Sequence, residues 1–341
     1  MWRKKLILRR TVSILKLLSC LVSVLFLTLP FLFKSSSWLQ TNMVFLPFVR
    51  MPDDLNLSDP SSLGMPSTHN LYLTSQPGVT LGVWHILPGS CDNSQLSCND
   101  QLRSGQAVVL YLHGNTAHRA APSRVELYKV LRHLDYHVVT FDYRGFADSS
   151  NVAPSVTGVV ADAQAVYDWV VARSGRDTQV IVWGHSLGAG VATHLVADLC
   201  TQGTRPSGLV LESPFNNIYD ELRNHNFAWP WRSLPWFDWF FTSSLAENDL
   251  AFKNDEKVPL IDVPLLILHA QDDAVIPFKL GKALHEAALR SRKVGGSTVE
   301  FREFDGKCGY GHSLICRAPE LPDIVKQFVK GCQEGKKRSE N

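Results

Sequence analysis

Cysteine is scarce, at 7 of 341 residues, and no Cys/His spacing matches a zinc site. A disulfide-scaffold domain and a structural zinc module are both excluded. Glycine (22) and proline (18) are too few for a collagen-like or low-complexity chain, and no internal repeat is found. Nor does one sign of charge dominate, with 34 Lys and Arg against 32 Asp and Glu. That balance hides an uneven distribution. Residues 1–34 hold Arg3, Lys4, Lys5, Arg9, Arg10, Lys16 and Lys34 and no acid, so the remaining 307 residues carry 27 basic and 32 acidic groups. A mildly acidic body excludes a nucleic-acid footprint. What the chain does have is apolar material, 45% of residues, enough for a large core and too much for a disordered chain. At roughly 150 residues per domain the length suggests about two units, although one α/β domain can also run past 200.

The basic N-terminus leads into Leu17–Phe33, which is uncharged; extended back to Thr11 the run is interrupted only by Lys16. As a helix, at about 1.5 Å per residue, it spans roughly 25–35 Å, matching a bilayer core of about 30 Å. Six of the seven cations precede it, which keeps the N-terminus cytosolic and sends the body to the luminal or extracellular side. A cleaved signal peptide is the alternative. Its apolar region would be unusually long, and no A-x-A site follows. The reading is therefore a cytosolic tail over 1–10, a transmembrane anchor over 11–33 and a luminal linker over 34–65. A catalytic domain over 66–331 and a polar tail over 332–341 complete it. Asn56-Leu57-Ser58 is a glycosylation sequon on the luminal side. Cys91 and Cys98 bracket a polar insert, where a disulfide would close a short loop.

From residue 68 the chain alternates β-rich runs with helical stretches. Candidate strands are Thr68–Leu73, Gly82–Ile86, Ala107–Leu112, His137–Phe141, Val180–Trp183, Leu209–Glu212, Leu265–His269 and Val299–Phe304. Several are almost wholly apolar, as strands covered on both faces are. The class is α/β, with a mostly parallel central sheet and helices on both faces. About 50 residues between Glu212 and Leu265 break the rhythm with a dense aromatic cluster. This is read as a cap over about 213–262, with Phe227, Trp229, Trp236 and Trp239 against an acyl chain or the bilayer; a buried aromatic subcore is the alternative.

Val180-Ile181-Val182-Trp183 runs into Gly184-His185-Ser186-Leu187-Gly188 and then a helical pattern, which is G-x-S-x-G in strand–turn–helix context. The sharp turn presents Ser186 Oγ as nucleophile and brings strand and helix too close for bulk at the glycines. A base and an acid should follow in the order acid then histidine. His312, in Gly309-Tyr310-Gly311-His312 after the last strand, is the candidate base, whereas His285 sits mid-helix. Asp273 is the chosen acid, with its neighbour Asp272 facing solvent or capping a helix; Asp272 itself and Glu212 remain alternatives. The backbone N–H of Leu187 supplies one oxyanion donor, and Asn115 or Thr116 the other. His113 lacks partners for a metal, and Asp142-Tyr143-Arg144-Gly145 reads as a buried corner. No metal and no cofactor is required.

Tyr111-Leu112-His113-Gly114-Asn115, Val138–Gly145, Trp183–Gly188, Leu265–Ala270, Phe237–Phe241 and Asn254-Asp255-Glu256 carry a specific resemblance. The chain resembles the α/β-hydrolases, and among them the membrane-anchored monoacylglycerol and lysophosphatidylserine lipases of the abhydrolase-domain-containing proteins, over roughly 66–330. The resemblance implies a single-pass endoplasmic-reticulum protein with a luminal catalytic domain. It implies hydrolysis of lysophosphatidylserine and monoacylglycerols by Ser186, Asp273 and His312 through an acyl-enzyme. The chain departs from the pattern at Ala147, where Gly is usual, at Ala189, where Thr is common, at Thr116-Ala117-His118 after Asn115, and in a short cytosolic tail. A thioesterase (depalmitoylase) or a close paralogous esterase would use the same triad. A catalytically dead lipid-binding fold is the reading from another class, and a triad complete and in order argues against it.

Overall fold

A computed structural model of the chain describes residues 2–53, 55–91, 102–103, 105–175, 177–293 and 295–340, with the backbone alone at Leu8 and 335–340. Cys98 lies outside the described residues, and with it the expected Cys91–Cys98 pairing. Each of the eight candidate strands is present: β1 Thr68–Gln76, β2 Val79–Ile86, β3 Val108–Leu112, β4 His137–Phe141, β5 Val180–His185, β6 Gly208–Glu212, β7 Leu265–Ala270 and β8 Val299–Phe304. They form one sheet in the order β1-β2-β4-β3-β5-β6-β7-β8. The β1–β2 hairpin and the β2–β4 pair are antiparallel, and the remaining pairs are parallel.

Period-2 alternation splits the apolar strands between two cores. Leu110, Val182, Leu211 and Ile267 face the core under the helices Val156–Arg173, Leu187–Gln202 and Phe278–Ser291. Val109, Ile181, Trp183 and Leu268 face the core under Pro122–His133 and Leu321–Glu340. Helices on both faces are the arrangement that continuous apolar runs demand. Order reversal around β3 opens a crevice at the C-terminal strand ends, where ligands bind in open α/β sheets. The ends of β3, β5, β6 and β7 deliver His113, Ser186, Glu212 and Asp273 to that one edge.

Outside the sheet the structure adds to the sequence reading. The N-terminal helix runs from Trp2 to Ser35 through a π-helical turn at Val24–Thr28, extending past both ends of the span read as the anchor. The basic residues before Thr11 continue the helix at no cost, because their side chains are exposed. The segment read as a linker over 34–65 is packed structure. It carries the helix Ser37–Phe45, capped by Ser36 Oγ accepting from Leu39 N at 3.2 Å, and it fully buries Gln40 and Phe45. The cap is a chain of short helices, with a second π-helical turn at Asp238–Thr242. The polar C-terminal tail continues the last helix to Glu340.

Candidate active site

Ser186 sits between β5 and its helix with φ 55° and ψ −118°, a region that costs an L-residue of order 1–3 kcal/mol. The flanking glycines explain how the turn closes. A Cβ on Gly184 would lie 2.2 Å from Gly188 O, and one on Gly188 2.1 Å from Leu112 O. No side chain fits at either position. Ser186 is only 6% exposed, so the elbow holds its side chain out of open solvent.

His312 reaches the same edge on the loop after β8, and its Nδ1 lies 2.8 Å from Asp273 Oδ2. The carboxylate fixes the tautomer, with the proton on Nδ1 and a bare Nε2. The other oxygen, Asp273 Oδ1, accepts the N–H groups of Val275 and Ile276, each at 2.9 Å. Burial pushes the Asp273 carboxyl up, but the hydrogen bonds from His269 and His312 outweigh it and hold it well below the usual carboxylate range. Asp273 is thus an ionised, fully directed partner. Among the described residues no hydrogen bond joins Ser186 Oγ to the His312 ring.

The competing carboxylates have other work. Asp272 is half-buried and caps no helix; its Oδ2 accepts Gly311 N–H at 3.0 Å and so holds the histidine loop. Glu212 accepts Trp183 Nε1–H at 3.0 Å, and burial raises its pKa to about 7. His285 packs on Phe301, on the helix where it was expected.

Leu187 opens its helix, so its N–H has no intrahelical acceptor and is free to donate. The facing loop is tied down at several points. Asn115 Nδ2 donates to Val44 O at 3.1 Å, Ala117 N to Val49 O at 2.8 Å, and Arg124 to the carbonyls of Thr116 and His118. The backbone N–H groups of Asn115 and Thr116 donate to no backbone acceptor among the described residues, leaving both as oxyanion candidates. His113 and Asp142 are fully buried 3.3 Å apart, and Asp142 is also paired with Arg119. Arg144 pairs with Asp162 in a fork, at 3.0 Å and 2.7 Å. The Asp142–Gly145 run is the buried corner expected. No group of three or more His, Cys, Asp or Glu suited to a metal occurs among the described residues.

Sequence reasoning missed the supports of the histidine loop. His185 Nε2 lies 2.8 Å from His312 O, and Ser213 Oγ donates to the same oxygen at 3.3 Å. A backbone acceptor leaves no trace in sequence. His269, inside an otherwise apolar strand, did carry a signal, since a buried imidazole needs a partner; it lies 3.4 Å from Asp273 Oδ2.

The cap aromatics divide in two. Trp231, Phe237 and Phe241 are buried together, the subcore alternative, and Phe33 of the N-terminal helix stacks 5.1 Å from Phe241. Trp229 and Trp239 are 70% and 55% exposed, and Phe227 is 43% exposed. Their assignment to an acyl pocket is therefore corrected: they face outward, Trp239 against Lys34 of the N-terminal helix. Trp236 is half-buried against Phe240. Asn56 is exposed, its side chain bonded to Ser58.

A family model described as serine aminopeptidase, S33, matches residues 103–258. Among solved structures, an esterase from Pyrococcus furiosus superposes with TM-score 0.59 at 20% identity, covering 83% of this chain and 97% of its own. An alpha-beta hydrolase from Vibrio vulnificus gives 0.62 at 16% identity, covering 89% and 93%. Both show the fold. Among curated proteins, lysophosphatidylserine lipase ABHD12 of Macaca fascicularis is 46% identical over 92% of this chain and 79% of its own. The Gallus gallus protein of that name is 48% identical over 89% and 81%, and human protein ABHD12B 38% identical over 84% and 79%. Identity of this extent, on a chain that already shows the fold, the elbow and the Asp273–His312 pair, leaves one kinship: the chain belongs to the ABHD12 family of serine hydrolases, lysophospholipase-type esterases on the α/β-hydrolase fold.

Proposed function

We propose that the protein hydrolyses the acyl ester of single-chain lipids, lysophosphatidylserine and monoacylglycerol, with Ser186 as nucleophile, His312 as base and Asp273 as its orienting acid. The observation that carries this is the 2.8 Å contact between His312 Nδ1 and Asp273 Oδ2 beside a serine on a strained elbow. As substrate seats, Ser186 Oγ and His312 Nε2 close to about 3 Å, and the proton passes to the imidazole as Oγ attacks the carbonyl. The oxyanion forms against the N–H of Leu187 and that of Asn115 or Thr116. His312 then protonates the leaving glycerol oxygen, and an acyl-Ser186 remains. Water deprotonated by the same Nε2 releases the fatty acid.

The N-terminal helix serves as a single-pass anchor with its basic end in the cytosol. The catalytic domain then lies in the lumen of the endoplasmic reticulum, with Asn56 within reach of glycosylation. Its length and composition support this, with a mean hydropathy of 2.3 in its most apolar window. The test is a lipid panel on detergent-solubilised full chain, alongside fluorophosphonate labelling. Wild type should release fatty acid from lysophosphatidylserine and monoacylglycerol, and Ser186→Ala should lose both turnover and label. Turnover by Ser186→Ala above roughly 1% of wild type would reject the nucleophile.

A further inference from the structure

The N-terminal helix does not end where the cap begins. Trp231 Nε1 donates to Leu25 O at 2.9 Å, within the π-helical turn, and Leu25 and Phe26 pack half-buried against the core. Phe33 is buried against Phe241. Lys34 Nζ lies 4.6 Å from the Trp239 ring and 3.6 Å from Glu247 Oε1. The cap therefore grips the helix from Leu25 to Lys34, ten residues, or about 13 Å along its axis.

Charge placement decides where the bilayer falls. The helix has no charge between Lys16 and Lys34. If the hydrocarbon ended at Leu25, with the cap wholly outside, only about 13 Å of uncharged helix would lie below it, against a core of about 30 Å. Arg9, Arg10 and Lys16 would then enter hydrocarbon. If it ends near Lys34, the run from Thr11 to Phe33 fills it and Lys16 can snorkel. In that position Leu25, and whatever is bonded to it, lies below the headgroups.

The outward cap surface suits such a place. Of the eight aromatics in residues 227–241, Phe227, Trp229 and Trp239 face outward while Trp231, Phe237 and Phe241 are buried, and only Arg232 and Asp238 are charged. Asp238 is paired with Arg223 at 2.5 Å. Phe227 stacks 5.3 Å from Trp231, on the Leu25 level, while Trp239 lies against Lys34 and Trp38, in the next helix, is 72% exposed. Trp at the headgroup level with apolar groups beneath is the order of a membrane interface.

We propose that the cap is sunk into the leaflet on its own side, with Phe227 and Trp229 among the acyl chains and Trp239, Trp38 and Lys34 at the headgroups. The occupant of this surface is the lipid bilayer, and the inference rests on the reading of the helix as a membrane anchor. It gives the site a lateral supply of single-chain lipid. The segment leaving the anchor also bonds the candidate oxyanion loop directly, Val44 O to Asn115 and Val49 O to Ala117 N.

The test uses full chain in phosphatidylcholine vesicles, with Cys20, Cys91, Cys98 and Cys308 replaced by Ser and an environment-sensitive fluorophore on one introduced cysteine. Reporters are placed at Trp229→Cys, at Phe227→Cys as a second cap site, at Leu18→Cys in the anchor, and at Gln202→Cys on the catalytic domain. Fluorophosphonate labelling checks that each is folded. Acyl-chain nitroxide lipids should quench the reporters at 229, 227 and 18 at least roughly twofold more than that at 202, with aqueous iodide showing the reverse order. If 18 is quenched by nitroxide but 227 and 229 by iodide, the anchor spans and the cap stands clear, which overturns this proposal alone. If 18 is reached by iodide as well, the anchor reading fails and the proposal with it.

Discussion

His185 Nε2 lies 2.8 Å from the carbonyl oxygen of His312, so the residue before the candidate nucleophile holds the loop of the candidate base. A carbonyl only accepts, so the His185 proton sits on Nε2, and Nδ1 is buried without a partner among the described residues. Burial, then the neighbouring His312, lowers the His185 pKa to about 3. It stays neutral, and a donor, across any working pH.

His185→Phe keeps a ring but removes the donor. We expect kcat to fall roughly tenfold with KM little changed, because the loss disorders the base and not the lipid site. The fluorophosphonate labelling rate should fall by a similar factor. Labelling at the wild-type rate would make His185 a packing residue only.

The two adjacent aspartates should separate cleanly. Asp273→Asn removes the acceptor that fixes the His312 tautomer and should cost on the order of 10³–10⁴ in kcat. Asp272→Asn keeps an oxygen for Gly311 N–H and should cost less than roughly tenfold, with Asp272→Ala somewhat worse. Steady-state kinetics on one soluble ester decides it. Equal losses would mean that the loop anchor matters as much as the ring partner.

Legibility in the sequence followed the range of the physics. β3 to β7 were readable because strands buried on both faces are continuous apolar runs, and the Asp273–His312 pair because the order acid then histidine after the elbow is constrained by chemistry. The 34–65 segment was misread because its buried anchor is polar: Gln40 donates to Phe33 O and Lys34 O and accepts from Asn248, all invisible as periodicity. The outward turn of Trp229 and Trp239 was unreadable too. Pro230, Pro235 and a π-helical turn reset the helical phase, so spacing no longer says which side is buried.

The Trp231 contact gives a stability prediction. Trp231→Phe keeps an aromatic ring but leaves Leu25 O without its donor, and should destabilise by about 1–2 kcal/mol. The loss should vanish in a variant that already lacks residues 1–35. A denaturant series on the four proteins in detergent measures the coupling. Equal losses with and without the helix would show that the hydrogen bond adds nothing.

Ala147 stands in the left-handed region at φ 46°, at the position where the family resemblance puts a glycine. Strain there costs an L-residue about 1–2 kcal/mol, partly offset by the greater chain entropy of glycine. Ala147→Gly should therefore raise stability by about 1 kcal/mol without altering kcat. A lower denaturation midpoint would mean that the Ala147 methyl group packs better than the backbone strains.

Glu212 supplies a pH signature away from the reacting atoms. It is buried, its one side-chain donor among the described residues is Trp183 Nε1–H, and burial raises its pKa from 4.5 to about 7. Below pH 4.5 the carboxyl is protonated in folded and unfolded chains alike, and it imposes no cost. As pH rises towards 7 the unfolded chain ionises while the folded one holds its proton. Stability is therefore lost across that window, up to on the order of 3 kcal/mol for such a shift. Glu212→Gln keeps an oxygen for the indole and cannot ionise. The variant should match wild type near pH 4.5 and become progressively more stable than it up to about pH 7, with a constant gap above. Equilibrium denaturation across the pH range reads this directly. Parallel curves for the two proteins would mean that Glu212 ionises freely in the fold, with water reaching it through the polar cavity it shares with Tyr111, Arg124 and His185.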